Sequence, residues 1–580
     1  MGCNFLELRN IKLSQVLALL SVLLFSFWIM LMFNAAPRFQ EAVGTDSLAM
    51  INVLFPNFWI ILVAYVGICF VTFVKSNGPS WLHMLLIGQI SVILYFTPFV
   101  LSGFSWSPDS LWHGGVARYM PEILSGSEIA LSSYAQTYPF SFLITYFADY
   151  ILGINIFTYS LYVYPFIVSL VISVLAYIFA VRVFNHKVAF LSILLTLPAL
   201  HYFEPHISPF SVGTILVLTS LILLTFKNRL ALGLTFVSVI ILTVTHPISP
   251  ISLGAYIFAY IVIGFLFRRE LGMSIVFSRR FLLPLLFFIG IIWFSWTVFY
   301  AMSYYSGIET AVISMFNFNF ITRIFQVSGF TVGGQGFIFP QIHQLSLAIY
   351  GVFLALTLFP FIGYLKRVLL RIKTAKFNII MYDKMALSLA AIINAIIGFL
   401  LFLSSGERFL LGRGLFYFIF FGSMVIATYF VSSGQISNKT KKILAFVLVT
   451  VLVCSFPVIS YSKEAYNSYT PSAGAGLSFL STKVDLSQNS LSMGMDQQIG
   501  AYANLSQGLV AAPFPPNMTD GSPPDVIVMR INAYYVISMR YDFSFTNNSY
   551  NDLKDDLTVN TDFNMIYANP RFEIYLNSTS

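Results

Sequence analysis

The chain has 580 residues, of which 58% are hydrophobic and only 9% charged, with a formal net charge of +8. A soluble domain carries about 25% charged residues, so a soluble fold is excluded. The basic excess lies in short gaps between apolar runs, where membrane topology and anionic lipid account for it without nucleic acid.

The first apolar run, Ile11 to Phe33, is too long for a signal-peptide core and reads as a retained anchor. A crossing needs about 20 apolar residues. On that measure spans fall near 12–33, 52–74, 81–102, 155–181, 188–202, 209–226, 230–246, 250–267, 281–303, 344–365, 385–404, 414–433 and 443–461. Twenty of the 31 Lys and Arg residues occupy alternate gaps: Arg9 and Lys12; Lys75; Arg182 and Lys187; Lys227 and Arg229; Arg268, Arg269, Arg279 and Arg280; Lys366, Arg367, Arg371, Lys373, Lys376 and Lys384; Lys439, Lys441 and Lys442. The opposite gaps hold only Arg38, Arg118, Arg323, Arg408 and Arg413. Basic loops face the cytoplasm, so the N-terminus is expected inside and, after an odd number of spans, the C-terminus outside. The expected fold is a polytopic α-helical membrane protein of about thirteen transmembrane helices over residues 1–461, with a long outer loop at 102–154 and a separate outer domain at 462–580. Within that loop, Pro139 to Gly153 is apolar but short, and either lies along the membrane or re-enters it. The two halves show no repeat, which counts against an inverted-repeat transporter.

Candidate chemistry gathers on the outer side, where five of the seven histidines fall: His113, His201, His206, His246 and His343. The outer loop carries Ser107-Pro-Asp-Ser-Leu-Trp-His-Gly-Gly-Val-Ala-Arg118. In a helix Asp109 and His113 share a face. Asp109 then serves as a general base or a cation ligand, or simply caps the helix start after Ser-Pro. The next outer loop reads His201-Tyr-Phe-Glu-Pro-His206. His201, Glu204 and His206 suit a metal or a phosphate, or are interfacial groups satisfied by water and lipid headgroups; His246 lies on the same side. A third outer loop, Ser404-Ser-Gly-Glu-Arg-Phe-Leu-Leu-Gly-Arg-Gly414, holds Arg408 and Arg413 where basic residues are disfavoured. A charge costs roughly 2.5–3.5 kcal/mol at a span centre, so this pair asks for a partner: a phosphate, which guanidinium forks match, or Glu407 and lipid headgroups. Gly406, Gly412 and Gly414 suggest irregular backbone there.

The tail is rich in Ser, Asn, Asp and Pro. Asp525-Val-Ile-Val-Met-Arg530 and Phe572-Glu-Ile-Tyr575 alternate as strands do, and Asn569-Pro570 marks a turn after Met565-Ile-Tyr567. A small α/β domain is expected. Asn504, Asn517, Asn547 and Asn577 are glycosylation sequons in this tail, while Asn438 sits among inner lysines and is expected to be unused.

Several features together resemble the GT-C superfamily of integral membrane glycosyltransferases, in particular prokaryotic and archaeal protein-mannosyltransferase-like members. These are Asp109-Ser-Leu-Trp-His113 with Ala117-Arg-Tyr, then Thr137-Tyr-Pro-Phe-Ser-Phe running to Ile151-Leu-Gly-Ile-Asn155, and Ala180-Val-Arg-Val-Phe184. The later Glu407-Arg408 with Arg413, and the ending Met565-Ile-Tyr-Ala-Asn-Pro-Arg-Phe-Glu-Ile-Tyr575, are similar to features of archaeal members. The chain departs from that pattern in placing three spans before the outer loop, in lacking Asp-Glu at 109–110, and in carrying no Trp-Trp-Asp in the tail. The resemblance implies an outer-face transfer of sugar from a polyprenyl-phosphate lipid donor to a surface protein or glycan acceptor. It implies Asp109 as the base or metal-binding acid and Arg408 and Arg413 as holders of the donor phosphate. From their positions His113 and Glu204 are expected in the catalytic set, His246 at the donor phosphate, and a divalent metal (magnesium or manganese) at Asp109, His201, Glu204 and His206. The competing readings are a catalytically silent structural subunit of a surface complex, and a lipid or solute transporter.

From the basic-gap asymmetry we predict that protease added to intact cells clips the tail beyond about residue 462 and spares the 366–384 loop. The opposite pattern overturns this topology.

Overall fold

The computed structural model describes residues 2–42, 48–75, 80–103, 108–118, 120–125, 133–154, 158–201, 203, 205–226, 228–266, 279–301, 340–370, 379–405, 408–431 and 438–461, together with strands at 491–492, 526–530, 563–569 and 572–577. Each of the thirteen apolar segments expected from the sequence coincides with a helix. These are α1 (Gly2–Ala42), α3 (Asn57–Lys75), α4 (Ser80–Ser102), α9 (Tyr164–Val183), α10 (His186–Ala199), α11 (Pro209–Leu224), α12 (Arg229–Thr243), α13 (Ser249–Leu266), α14 (Arg279–Phe299), α15 (Pro340–Leu370), α16 (Ile379–Ser405), α17 (Arg408–Val431) and α18 (Asn438–Tyr461). Five short helices connect them: α2 (Ala49–Leu54), α5 (Pro108–Arg118), α6 (Met120–Leu124), α7 (Ser133–Thr137) and α8 (Phe140–Leu152).

Ten of the helices are long and apolar enough to cross a membrane. The other three, α10, α11 and α12, have 14, 16 and 15 residues. At 1.5 Å per residue they reach only about 21–24 Å, against a hydrocarbon core of about 30 Å. Their lengths follow from local sequence. Asn185 caps α10, its side chain accepting the Val188 N–H, and Pro198 sits in its last turn. Ser208 caps α11 ahead of Pro209, which has no N–H to lose at a first helical position. Asn228 caps α12 through the Ala231 N–H. A short helix is tolerable where protein rather than lipid surrounds it; every α10 residue from Val188 to Ala199 is buried.

With no hydrophobic force between helices in lipid, polar contacts and close packing hold them together. Tyrosine hydroxyls donate across the bundle to backbone carbonyls: Tyr65 to Ser21 at 2.8 Å, Tyr95 to Leu197 at 2.6 Å, Tyr461 to Leu94 at 2.7 Å and Tyr382 to Tyr260 at 2.7 Å. Buried Asp383 accepts from the Tyr260 hydroxyl at 2.9 Å. Arg182 closes the end of α11, its Nε donating to Thr225 Oγ1 at 3.1 Å while the guanidinium lies 4.6 Å from the Phe226 ring centre.

Two expectations are corrected. The apolar run at 52–74 does not continue through Pro56, which cannot donate to a helix ladder; α2 ends at Leu54 and α3 begins at Asn57. The glycines near Arg413 do not make irregular backbone, since α17 runs through Gly412 and Gly414 from Arg408. Gly414 serves helix packing instead. A Cβ there would strike the Cα of Gly398, lie 2.7 Å from its N and 2.9 Å from the Asn394 carbonyl oxygen, so α16 and α17 cross backbone to backbone.

The stretch Pro139 to Gly153 forms α8, closed by Gly153 at φ 60°. One face buries Ser141, Phe142 and Thr145, and the end exposes Phe147, Tyr150, Ile151 and Leu152. An apolar helix of 13 residues is too short to span, and its bare end suits the lipid boundary. In the tail, β1 (Leu491–Ser492), β2 (Val526–Arg530), β3 (Phe563–Asn569) and β4 (Phe572–Asn577) form one sheet in the order β1-β2-β4-β3. β3 and β4 pair antiparallel across the expected Asn569-Pro570 turn, with Asn569 opposite Phe572. β1 and β2 are parallel, which demands a crossover connection; residues 493–525 that would supply it lie outside the described residues. So do Asn504, Asn517 and Asn547, while Asn577 ends β4.

We predict that Gly414→Ala lowers the thermal stability of the purified protein by about 1–3 kcal/mol through overpacking. Gly351→Ala and Gly363→Ala, where a Cβ meets nothing within 4 Å, serve as neutral controls. Equal behaviour of all three in thermal unfolding would refute the backbone crossing.

Candidate functional site

The site is built where the short helices end. After α10 the chain runs from Leu200 to Ser208 before α11 begins, and after α12 it turns through Val244 to Ile248 before α13. Backbone without a helical ladder must find other partners. Trp293 of α14 donates its Nε1–H to the Pro247 carbonyl at 2.8 Å, and the Phe140 N–H reaches the Val244 carbonyl at 3.5 Å. Trp296 donates to the Thr137 carbonyl at 3.0 Å. The outer loop is thereby fastened to the same turn that carries His246.

Phe210, in the first turn of α11, is the meeting point. The His246 ring lies 5.3 Å from it, the Arg413 guanidinium 5.8 Å, and the Tyr417 ring 6.2 Å edge-on. Arg413 and Tyr417 are four apart on α17 and share a face. Below them the Tyr417 hydroxyl lies 3.4 Å from Thr214 Oγ1. His246 is fully buried; its Nδ1 accepts the Ser249 N–H at 3.2 Å and lies 2.9 Å from Ser249 Oγ. Burial first, and then the Arg413 charge, hold its pKa well below the ordinary 6.5, so the ring is neutral. Beside this group a small cleft is lined by Leu200, Phe203, Phe210, Tyr350, Gly412, Leu415 and Phe416. Its volume is about 10 Å³, room for a single water. α11, α13 and α17 all start at this end, so their positive dipole ends favour an anion.

A second junction lies alongside. Pro108 starts α5, with Asp109 in the first turn and His113 one turn on. The His113 ring, 7% exposed, stacks on His206 at 5.8 Å and 10° and lies 5.5 Å from Phe142 of α8. An apolar cluster of Val116, Ala117, Met120, Ile123, Ala135 and Phe142 holds α5 against the neighbouring helices. The structure thus unites His113 with His206, which the sequence placed in different loops. His201 goes elsewhere: its ring faces Tyr350 at 5.9 Å and Phe456 at 6.0 Å, and Ser460 Oγ donates to its carbonyl at 3.4 Å. Glu204 and Glu407 lie outside the described residues, as do the side chains of Asp109, Arg408 and His343. Arg408 and Arg413 share α17, where five residues place them about 140° apart around the axis. Among the described residues no group of three or more His, Cys, Asp or Glu side chains could hold a metal.

Sequence reasoning missed Phe210, Ser249, Tyr417 and Gly213. The Ser-Pro starts at 208–209 and 249–250 were readable helix signals. Nothing local marks Tyr417.

No protein-family model matches the chain, and no curated protein matches it. Solved structures similar to it include the Archaeoglobus fulgidus oligosaccharyltransferase in complex with zinc and sulfate, at 12% identity over 79% of this chain and 70% of that one, with a TM-score of 0.45. The archaeal oligosaccharyltransferase AglB from Archaeoglobus fulgidus, in complex with an inhibitory peptide and a dolichol-phosphate, matches at 12% identity, 77% and 61% coverage and a TM-score of 0.41. ArnT from Cupriavidus metallidurans bound to undecaprenyl phosphate matches at 12% identity, 86% and 98% coverage and a TM-score of 0.42.

A buried histidine with a lowered pKa takes its proton more readily in the unfolded chain. Its contribution to stability is therefore complete above the unfolded pKa of about 6.5 and is lost as pH falls below it. We predict that His246→Gln flattens the acid side of the stability profile between about pH 6.5 and 5, read by thermal unfolding in detergent. A profile parallel to wild type would show that His246 is not buried as a neutral ring.

Proposed function

We propose that the chain is a membrane glycosyltransferase that moves a sugar from a polyprenyl-phosphate donor to an acceptor on the outer face. The observation that carries this reading is the convergence of Arg413 and His246 on Phe210 at the start of three helices. In this reading all thirteen apolar helices cross the membrane, the N-terminus is cytoplasmic, and the tail is an outer α/β domain glycosylated at Asn504, Asn517, Asn547 and Asn577. Arg413 and His246 then lie at the depth where a lipid phosphate sits.

In the proposed reaction an acceptor hydroxyl or amide attacks the anomeric carbon. The bond from that carbon to the phosphate oxygen breaks, and its electron pair leaves with the polyprenyl phosphate. Arg413 and the His246 N–H meet the negative charge that grows on the phosphate. Arg408, on the same helix, is assigned to the same phosphate. The acceptor proton goes to Asp109, at the start of α5 one turn from the His113–His206 stack. Among the described residues only two imidazoles, His113 and His206, come together here, too few by themselves to hold a divalent cation. The donors observed are imidazoles, which suit zinc-like ions; magnesium prefers oxygen. His201, turned toward Tyr350 and Phe456, is assigned no ligand role.

Two substitutions test the reading. Asp109→Asn keeps size and removes the charge, and is expected to cut sugar transfer from a labelled polyprenyl-phosphate donor by about 10²-fold or more while the protein stays folded. Arg413→Lys keeps the charge but not the guanidinium fork, and is expected to weaken donor-analogue binding. Wild-type transfer by the first variant moves the base elsewhere, and wild-type binding by the second removes Arg413 from the phosphate site.

A further inference from the structure

Ser249 begins α13, and its N–H is one of the backbone donors that no helix satisfies internally. The donor finds His246 Nδ1 at 3.2 Å, so an imidazole does the work of a capping side chain. Accepting that hydrogen requires a lone pair on Nδ1. The proton of the neutral ring therefore sits on Nε2. His246 Nε2 is buried and has no hydrogen-bond partner among the described residues. A buried donor left unpaired is costly, and such a cost is removed by a ligand that brings an acceptor. The turn reaches this place because α11 carries glycine at 213. A Cβ there would lie 2.5 Å from Ser249 Oγ, 3.1 Å from Ser249 Cβ and 3.2 Å from His246 Cβ.

We propose that Ser249 and Gly213 are positioning residues of the anion site. Ser249 fixes His246 as the Nε2–H tautomer, and Gly213 lets the turn close on Phe210 so that this one N–H stands beside Arg413 for a phosphate-type oxygen. The identity of the anion rests on the glycosyltransferase reading; the tautomer does not.

The test uses the full chain in lipid nanodiscs with ¹⁵N-labelled histidine, the His246 signals being assigned by their loss in His246→Gln. The expected result is an unprotonated Nδ1 and a protonated Nε2, the Nε2 signal moving on addition of farnesyl phosphate, a short polyprenyl phosphate, and not on addition of farnesol. Inorganic phosphate in a parallel titration separates a free phosphate from a lipid headgroup. Gly213→Ala is expected to mix the tautomers and weaken farnesyl phosphate binding at least about tenfold. Adding Ser249→Gly, which keeps the N–H and removes two of the three clashing atoms, is expected to restore both. If Gly213→Ala fails to fold, the side-chain pair decides: His246→Gln keeps an N–H donor near the ε position and retains binding, while His246→Asn, whose amide ends at the δ position, loses it. A wild-type ring protonated on Nδ1, or Gln and Asn variants that bind alike, overturns the proposal. A wild type that shows the Nε2–H tautomer yet binds neither phosphate probe overturns the donor reading of the site and leaves the tautomer assignment in place.

Discussion

Inside hydrocarbon, a backbone N–H or C=O must find its partner within the protein. That constraint shapes this molecule more than any single contact. It makes every crossing segment a helix, and it confines irregular backbone to places that protein encloses. Three helices, α10, α11 and α12, stop short of a full crossing because caps and prolines end them. The segments that follow two of them, Leu200 to Ser208 and Val244 to Ile248, are where backbone leaves the helical ladder. Both carry candidate chemistry.

The polar groups there are held by neighbours rather than by their own helices. His246 caps α13, Trp293 fastens the same turn, and Gly213 allows its approach to α11. Arg413 is placed by α17, whose own position depends on the close crossing of Gly414 with Gly398. A charged guanidinium at this depth is costly in isolation. It lies against the Phe210 ring, 5.8 Å from its centre.

The second junction joins the outer loop to the same region. α5 brings His113 onto His206, and α7 and α8 rest on the turns after α12 and near the end of α14. An acid at the start of α5 is then mounted on the loop that closes over the bundle.

Run length was enough to locate the thirteen apolar helices, ten of them long enough to cross a membrane, because a helix is a local structure whose ladder lies within its own segment. The strands at Val526–Arg530, Phe563–Asn569 and Phe572–Asn577 were legible in the same way, from alternation and the Asn569-Pro570 turn. The sequence named His246 and Arg413 as candidates, and the structure brings both against Phe210. It misread the glycines around Arg413, since a glycine that permits a close helix crossing looks the same in sequence as one that bends a loop. It offered no way to pair His113 with His206, to turn His201 away from them, or to find Phe210, Ser249 and Tyr417. Those relations join residues that lie on separate helices. Helix packing alone sets them, and so the tertiary structure, not the sequence, decided which polar groups face one another.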